Sequence, residues 1–325
     1  MNIGWVFRDI DIDHDIHKPS GSKNPNGGVN SKYLHLKKAV PNMFLSSYLN
    51  SAMDICFAES LWFGEDENNV ESRIDQWKQL DAFKIVANSD LALLRLKGHQ
   101  RDEIIECSDL LIATSEYGLQ LFRTMTQKVE LLYDPIDIDM FIPSPHKTRS
   151  IYGAGQVGRV KNSQFMIDLY TRLPEELKLE TVYIGSSQLW GHGEPEDLKL
   201  ERKLEMASDV MEKNLNRDEV AKYISKMWAF TADTRYDMAS FSMMEAMLAG
   251  CWIFAGRHLL YNERPCIRFD TPDEAVSKIT EQLEKAPPES GVINEEGRQF
   301  IVDRHSFDAF KNDMKNLIGR YSLGL

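Results

Sequence analysis

The 325-residue sequence has no long hydrophobic run, few cysteines and no excess of basic charge. A membrane-spanning helix needs roughly 20 consecutive apolar residues, and because no such run occurs we expect no transmembrane segment. The first residues lack the basic and apolar regions of a secretory signal, so we expect no signal peptide. The four cysteines form no Cys-x-x-Cys pair, which is typical of reduced thiols in a cytoplasmic protein.

The net charge of −12 argues against indiscriminate binding to nucleic acid or anionic lipid, because both are polyanions. A local basic face is compatible with this balance. Six cations on two predicted helical segments are the candidates for it: Lys32, Lys37, Lys38, Arg95, Lys97 and Arg101. Solvation of ordinary helix faces is the simpler interpretation of these cations.

Short apolar runs alternate with amphipathic stretches in both halves of the chain, which is the β-α-β rhythm of parallel sheets. The predicted strands lie at 2–7, 53–58, 83–87, 109–114, 129–133, 150–155, 179–185, 227–233 and 251–256. A proline-containing segment at 134–150 interrupts the rhythm and is the predicted linker. The fold class is therefore α/β, with two Rossmann-like domains facing a central cleft.

The predicted domains are 1–140 and 141–310, the first for an acceptor and the second for a nucleotide. A C-terminal helix, 311–325, is expected to cross back to the first domain. Asn216 and Glu219 have the spacing of a capping box at the start of a helix.

Gly153-x-Gly155-x-x-Gly158 matches the pattern of a dinucleotide-binding turn. Such a site also needs an acidic residue at the end of the next strand, where it binds a ribose. That strand ends in a Gly-Ser-Ser run, and Glu180 lies at its opposite end. The pattern favours another use of the turn, and an NAD-dependent oxidoreductase using 153–158 is the alternative from another class.

Carboxylates and imidazoles cluster near the N-terminus at Asp13, His14, Asp15 and His17. These groups bind several metals, but in a polar loop they are usually solvated. We predict no metal site.

Asp237 and Glu245 flank the start of a predicted helix that follows an apolar strand. A helix beginning near Ser240 would present its free N–H groups and the positive end of its dipole beside Asp237. A nucleotide sugar needs donors for its diphosphate and acceptors for its hydroxyl groups. On spacing alone, an amphipathic helix whose Glu caps it or forms a salt bridge is the favoured interpretation.

The run ASFSMMEAMLAGCWIFAG at 239–256 resembles the carboxylate-x7-carboxylate motif of retaining family-4 glycosyltransferases, which have the GT-B fold. Asp237 stands in place of the usual first Glu, and Glu245 matches the second. Cys251-Trp252 departs from the apolar-Pro pair that usually follows the motif.

Two further segments fall into register with that family. Gly155-Gln156 followed by Lys161 resembles its Gly-Arg turn and Lys, with Gln156 at the Arg position and Arg159 as the candidate replacement. Gly27-Gly28 resembles its N-domain glycine loop near the donor phosphate.

The resemblance implies a nucleoside-diphosphate sugar as donor, a UDP-sugar being favoured, with no cofactor and no metal. Lys161 would stabilise the leaving diphosphate together with Arg159 or Gln156. Glu245 would bind the ribose and Asp237 the transferred sugar. Phosphate-binding N–H groups are expected at four positions: Ala239, Ser240, Phe241 and Ser242.

Asp90 follows a predicted strand at the expected cleft edge and is the candidate for positioning the acceptor. A helix N-cap is the alternative role for this residue.

The run 87–116 looks somewhat like phage DNA α-glucosyltransferases, which slightly favours hydroxymethylated bases of phage DNA as the acceptor. Such an enzyme flips its base out of the duplex and grips phosphates. The cations predicted to form its acceptor face are Lys32, Arg95, Lys97 and Arg101. A glycan, lipid or small-molecule acceptor stays open, as does a non-catalytic sugar-nucleotide-binding protein. The sequence gives no indication of oligomeric state.

Overall fold

The computed structural model describes most of the chain. The described residues are 2–7, 28–46, 49, 52–59, 63, 70–88, 92–159, 161–187, 195–213, 215–234, 240–258 and 264–321. The Asp/His cluster at 13–17 and the candidate residues Gly27, Asp90, Asp237 and Ala239 lie outside these ranges.

Two parallel six-stranded sheets organise the described residues, which confirms the predicted α/β class with two units. The first sheet has the order β2-β1-β3-β4-β5-β6. Its strands are β1 Ile3–Val6, β2 Phe44–Ser46, β3 Ile55–Glu59, β4 Phe83–Asn88, β5 Leu110–Ala113 and β6 Val129–Leu131.

The second sheet has the order β12-β11-β10-β7-β8-β9. Its strands are β7 Thr148–Ala154, β8 Glu180–Ile184, β9 Val210–Glu212, β10 Met227–Ala232, β11 Trp252–Gly256 and β12 Ile267–Phe269.

Helices connect the strands and cover the sheets. In the first half they are α1 Gly28–Ala39, α2 Val70–Gln79, α3 Ala92–Arg95, α4 Gly98–Glu106 and α5 Glu116–Arg123. In the second half they are α6 Ser163–Tyr170, α7 Pro195–Ala207, α8 Arg217–Ile224, α9 Phe241–Leu248, α10 Pro272–Lys285, α11 Glu295–His305 and α12 Phe307–Tyr321. Among the described residues, no helix is both long and apolar enough to cross a membrane.

All nine predicted strands overlap observed strands, whereas β2, β9 and β12 were not predicted. Every residue of the central strands β3 and β10 is buried, which explains their continuous apolar runs. The three missed strands have three residues each and lie at sheet edges, partly exposed. Short edge strands carry little apolar patterning, so periodicity detects few of them; of the four three-residue strands described, the prediction found β6.

The predicted capping box is confirmed at the start of α8. The Asn216 side chain accepts a hydrogen bond from the Glu219 N–H at 2.9 Å, and the Glu219 carboxylate accepts one from the Asn216 N–H at 2.8 Å. This reciprocal pair fixes the helix start, so that Arg217 is its first residue.

The C-terminal helix α12 packs against α1 of the first half. Its buried residues Phe310, Met314 and Leu317 belong to the same hydrophobic cluster as Tyr33 and Leu36 of α1. Their spacing places all three on one face of α12.

A buried histidine at the end of α11 contacts the segment between the sheets. His305 Nδ1 donates to the Asp134 carbonyl at 2.8 Å, and the Ile136 N–H donates to the His305 carbonyl at 2.8 Å. Burial lowers the pKa of His305 from 6.5 to about 3, and Arg264 acts in the same direction.

The lowered pKa of His305 predicts a pH-dependent loss of stability. The unfolded chain takes up a proton at this residue below pH 6.5 while the folded chain does not, so its contribution falls as the pH falls from 6.5 toward 3. We expect wild type to lose about 2 kcal/mol more than His305→Asn between pH 6.5 and about pH 5. Urea unfolding over this range measures the difference.

Asn is the chosen replacement because its amide keeps a donor for the Asp134 carbonyl. His146→Asn, at an exposed position, is the matched control and should follow wild type. Parallel pH curves for wild type and His305→Asn would contradict the prediction.

Candidate functional site

The candidate site lies at the point in the second sheet where the order of successive strands reverses, between β7 and β10. From β7 the chain builds β8 and β9 on one side, and then β10, β11 and β12 on the other. The connections leaving the carboxyl ends of β7 and β10 therefore run apart. In parallel α/β sheets ligands bind in the crevice that opens at such a point.

A turn at Gly155 follows β7 and lies against the turn that follows β8. Gly155 and Gly185 have φ angles of 131° and 145°, which favour glycine. A Cβ atom on Gly185 would lie 2.0 Å from the Gly155 carbonyl oxygen, so the two backbones approach as only glycine allows. Gly153 instead lies inside β7, paired with Tyr183, and is not part of the turn.

The structure does not supply the carboxylate that a dinucleotide turn needs. Glu180 is the first residue of β8, so it lies at the amino ends of the strands, opposite the Gly155 turn. The residues after β8 are Gly185, Ser186 and Ser187, and Ser187 donates both its N–H and its hydroxyl to Glu201.

Lys161 lies at the Gly155 turn. A Cβ atom on Gly155 would meet the Lys161 side chain at 3.3 Å from Cε, so the aliphatic stem of the lysine runs along the turn. Asn162 follows in a left-handed conformation and precedes α6. The lysine is therefore at the carboxyl edge of β7, where an anion would enter.

The first described helix after β10 is α9. Ser240 precedes the helix in an extended conformation, and its side chain makes no capping hydrogen bond. Phe241 and Ser242 belong to the first turn, whose N–H groups have no partner within the helix. These N–H groups and the helix dipole favour an anion.

Glu245 is buried within α9 and forms an ion pair with Arg217. The Arg217 guanidinium donates to Glu245 Oε1 at 2.6 Å, and the two side chains are 10% and 5% exposed. Burial raises the pKa of Glu245, and Arg217 opposes that rise. Sequence analysis did not identify Arg217 as a partner, because the two residues lie 28 positions apart.

His35 connects this ion pair to the first half of the chain. Its Nε2 lies 3.2 Å from an Arg217 nitrogen, and its Nδ1 accepts from the Asp137 N–H at 3.2 Å. Its ring stacks on Phe241 at the start of α9, with 5.6 Å between ring centres. Burial holds the pKa of His35 well below its usual value, and Arg217 and Lys38 lower it further.

Lys32 is not on an exposed basic face, which corrects the sequence prediction for this residue. It is 2% exposed and pairs with Glu59 and Asp134, each at 2.6 Å. Its ammonium also lies 4.9 Å from the centre of the Trp5 ring. Helix periodicity placed Lys32 beside solvent, but carboxylates from β3 and from the segment between the sheets bind it in the interior.

The other predicted acceptor cations are nearer to solvent. Arg95 and Lys97 are exposed, and Arg101 is partly exposed beside Asp102 at 3.1 Å. The structure thus separates Lys32 from the three cations of α3 and α4.

Arg159, the predicted replacement cation, is exposed and forms an ion pair at the surface. Its side chain is 82% exposed and pairs with Glu196 at the start of α7. Gln156 is half-buried at the turn, and Gly28 is the first residue of α1. The described residues contain no cluster of three or more His, Cys, Asp or Glu side chains suited to a metal.

No protein-family model and no curated protein matches the chain. Solved structures match its fold over nearly the whole length. Sucrose-phosphate synthase from Thermosynechococcus elongatus aligns with a TM-score of 0.75 and 12% identity over 100% of both chains. HepE from Anabaena, in complex with UDP-glucose, aligns with a TM-score of 0.71 and 10% identity over 98% of this chain and 100% of its own.

A glycosyltransferase from Rickettsia africae aligns with a TM-score of 0.63 and 9% identity over 100% of this chain and 99% of its own. These likenesses and the two parallel sheets identify the fold as GT-B. The fold was therefore correctly predicted.

The buried pair gives a testable expectation for stability. Arg217→Ala leaves the Glu245 carboxylate buried without its cation, and we expect a loss of about 3–5 kcal/mol in the free energy of unfolding. Arg159→Ala removes an exposed pair and should cost at most about 1 kcal/mol. Urea unfolding of both variants tests this, and equal losses would contradict it.

Proposed function

We propose that the protein is a glycosyltransferase that moves a sugar from a UDP-sugar to an acceptor hydroxyl. The observation that supports the proposal is topological: the Gly155 turn with Lys161 follows β7, and α9 is the next described helix after β10, the strand beside β7 at the switch point of the second sheet. Lys161 supplies a cation and α9 supplies N–H donors, which together suit a diphosphate. UDP-glucose bound to HepE supports the choice of donor.

In this proposal Glu245 binds the ribose of the donor. Arg217 holds Oε1, and within the described residues Oε2 makes no hydrogen bond, so that oxygen is available to a hydroxyl group. Arg217 thereby acts as a positioning residue for Glu245. Asp237 binds the transferred sugar, a role that rests on the motif resemblance alone.

The proposed reaction retains the anomeric configuration and needs no metal. The acceptor oxygen forms the new glycosidic bond as the bond from the anomeric carbon to the diphosphate breaks, on the same face of the sugar. The acceptor proton leaves with the diphosphate oxygen. Lys161 and the N–H groups of α9 stabilise the charge that develops on that oxygen. Proton NMR of the product, which distinguishes retention from inversion, tests this step.

Thermal melts with UDP, GDP, ADP and NAD test the donor class. A ligand at 100 times its Kd adds about 2.7 kcal/mol of stability. We expect UDP to stabilise wild type and Lys161→Ala to bind UDP at least about tenfold more weakly, because a charge-assisted contact is lost. Lys226→Ala is the control, since Lys226 is exposed and precedes β10 at the opposite edge of the sheet.

Stabilisation by NAD alone would reject the proposal and favour the oxidoreductase alternative. UDP binding without transfer to any acceptor would favour the non-catalytic sugar-nucleotide-binding alternative. A Lys161→Ala variant that binds UDP as tightly as wild type would remove Lys161 from the site.

The acceptor that we propose to test first is a hydroxymethylated base in phage DNA. Of the four cations predicted for that acceptor, Arg95, Lys97 and Arg101 are at least partly exposed. If they bind phosphates, the double variant Arg95→Ala/Lys97→Ala should reduce the slope of log Kd against log salt by about 2. Fluorescence anisotropy with hydroxymethylated duplexes measures this slope.

Lys311→Ala/Lys315→Ala is the matched control, because both lysines are exposed on α12 and neither belongs to the predicted basic face. Transfer of the sugar to a glycan or small-molecule hydroxyl, with no transfer to hydroxymethylated DNA, would reject the DNA acceptor. That result would leave the proposed sugar donor intact.

A further inference from the structure

Within the described part of the chain, the proposed donor site has few positive charges. Each phosphate of a nucleotide sugar carries negative charge, and among the described residues around the Gly155 turn Lys161 supplies the cation. Gln156 is neutral, and Arg159 pairs with Glu196 at the surface. A second charged contact for the diphosphate would have to come from another element.

His258 follows β11, next to β10 in the sheet. Its Nδ1 lies 2.8 Å from the nearer carboxylate oxygen of Asp233, and its backbone N–H donates to the same carboxylate at 3.1 Å. Asp233 directly follows β10 and is 4% exposed. The carboxylate therefore holds both the backbone and the ring of the histidine.

Asp233 also joins this histidine to the Lys161 turn. The Asn162 side chain donates to Asp233 at 2.7 Å, and Asn162 directly follows Lys161. A Cβ atom on Gly256 would lie 2.2 Å from the Asp233 carboxylate. The absence of a side chain at this last residue of β11 therefore makes room for the carboxylate. Two connections that leave the sheet on either side of the switch point are thereby linked through one buried carboxylate.

Two polar side-chain atoms in the segments after β10 and β11 lack protein partners within the described residues. Within the described residues His258 Nε2 makes no hydrogen bond, and the imidazole is 33% exposed. Thr234 Oγ1 is buried and likewise has no partner there. A buried polar atom without a partner costs free energy, so Thr234 Oγ1 favours a polar ligand after β10, and the partly exposed His258 Nε2 can bind the same ligand as a donor.

We propose that His258, oriented by Asp233, is a further side-chain contact of the donor's diphosphate, in addition to Lys161. Its Nδ1–H donates to Asp233, and its Nε2–H donates to an oxygen of the phosphate that bears the sugar. With both ring nitrogens as donors the bound ring is an imidazolium, so it brings the positive charge that Gln156 and Arg159 do not. This inference rests on the proposed function.

The replacement His258→Asn separates this role from a structural one. The Asn amide nitrogen occupies the place of Nδ1 and keeps the bond to Asp233, whereas the Nε2 edge is removed. Calorimetry with UDP and with UMP then isolates the terminal phosphate. We expect His258→Asn to bind UDP about tenfold more weakly than wild type, with UMP affinity and melting temperature unchanged.

His146→Asn, at an exposed histidine outside the site, controls for the loss of an imidazole. His258→Ala, which loses the Asp233 bond as well, should show the weaker UDP binding together with a lower melting temperature. Wild-type affinity for UDP in His258→Asn would overturn the inference, with or without a loss of transfer. An equal loss for UDP and UMP would overturn it too, because the histidine would then act on the whole site.

The two proposals fail in different ways. A wild-type protein that binds no nucleoside diphosphate would overturn the proposed function, and this inference with it. A wild-type protein that binds UDP while His258→Asn matches it would overturn this inference alone.

Discussion

The ion pair between Arg217 and Glu245 constrains the position of three helices. Arg217 begins α8, Glu245 lies in α9, and His35 of α1 contacts both the arginine and Phe241. Neither charge of a buried pair can lose its partner without a large loss of stability. The start of α9, where the proposed phosphate contacts lie, is therefore tied to the first half of the chain.

The candidate site also requires that the backbone segments at the carboxyl ends of the second sheet's strands approach one another closely. Gly185 allows the turn after β8 to touch the Gly155 turn, and Gly256 allows β11 to pass Asp233. Without these glycines the polar groups after β7, β10 and β11 could not converge. The chemistry of the candidate site thus depends on positions that carry no functional group themselves.

Several cations of this acidic chain are buried and bind groups in the protein interior instead of lying on the surface. Lys32 lies between Glu59 and Asp134, and Arg217 binds Glu245. Lys147 is buried and donates to the carbonyls of Ser225 and Ala249, the residues that end α8 and α9. Carbonyls at a helix end carry partial negative charge, so this lysine stabilises two helix ends at once. A cation in the sequence is therefore a weak indication of an anion-binding face.

The sequence by itself determined the α/β class, nine of the twelve described strands and the capping box at Asn216, and it predicted the candidate segments around Gly155 and Glu245. These features are local, since they depend on apolar periodicity and on spacings of a few residues. The tertiary structure decided the burial of Lys32, the surface ion pair of Arg159, and the partners Arg217–Glu245 and Asp233–His258. Those pairs join residues 28 and 25 positions apart, and such contacts depend on how the sheet brings its strand ends together.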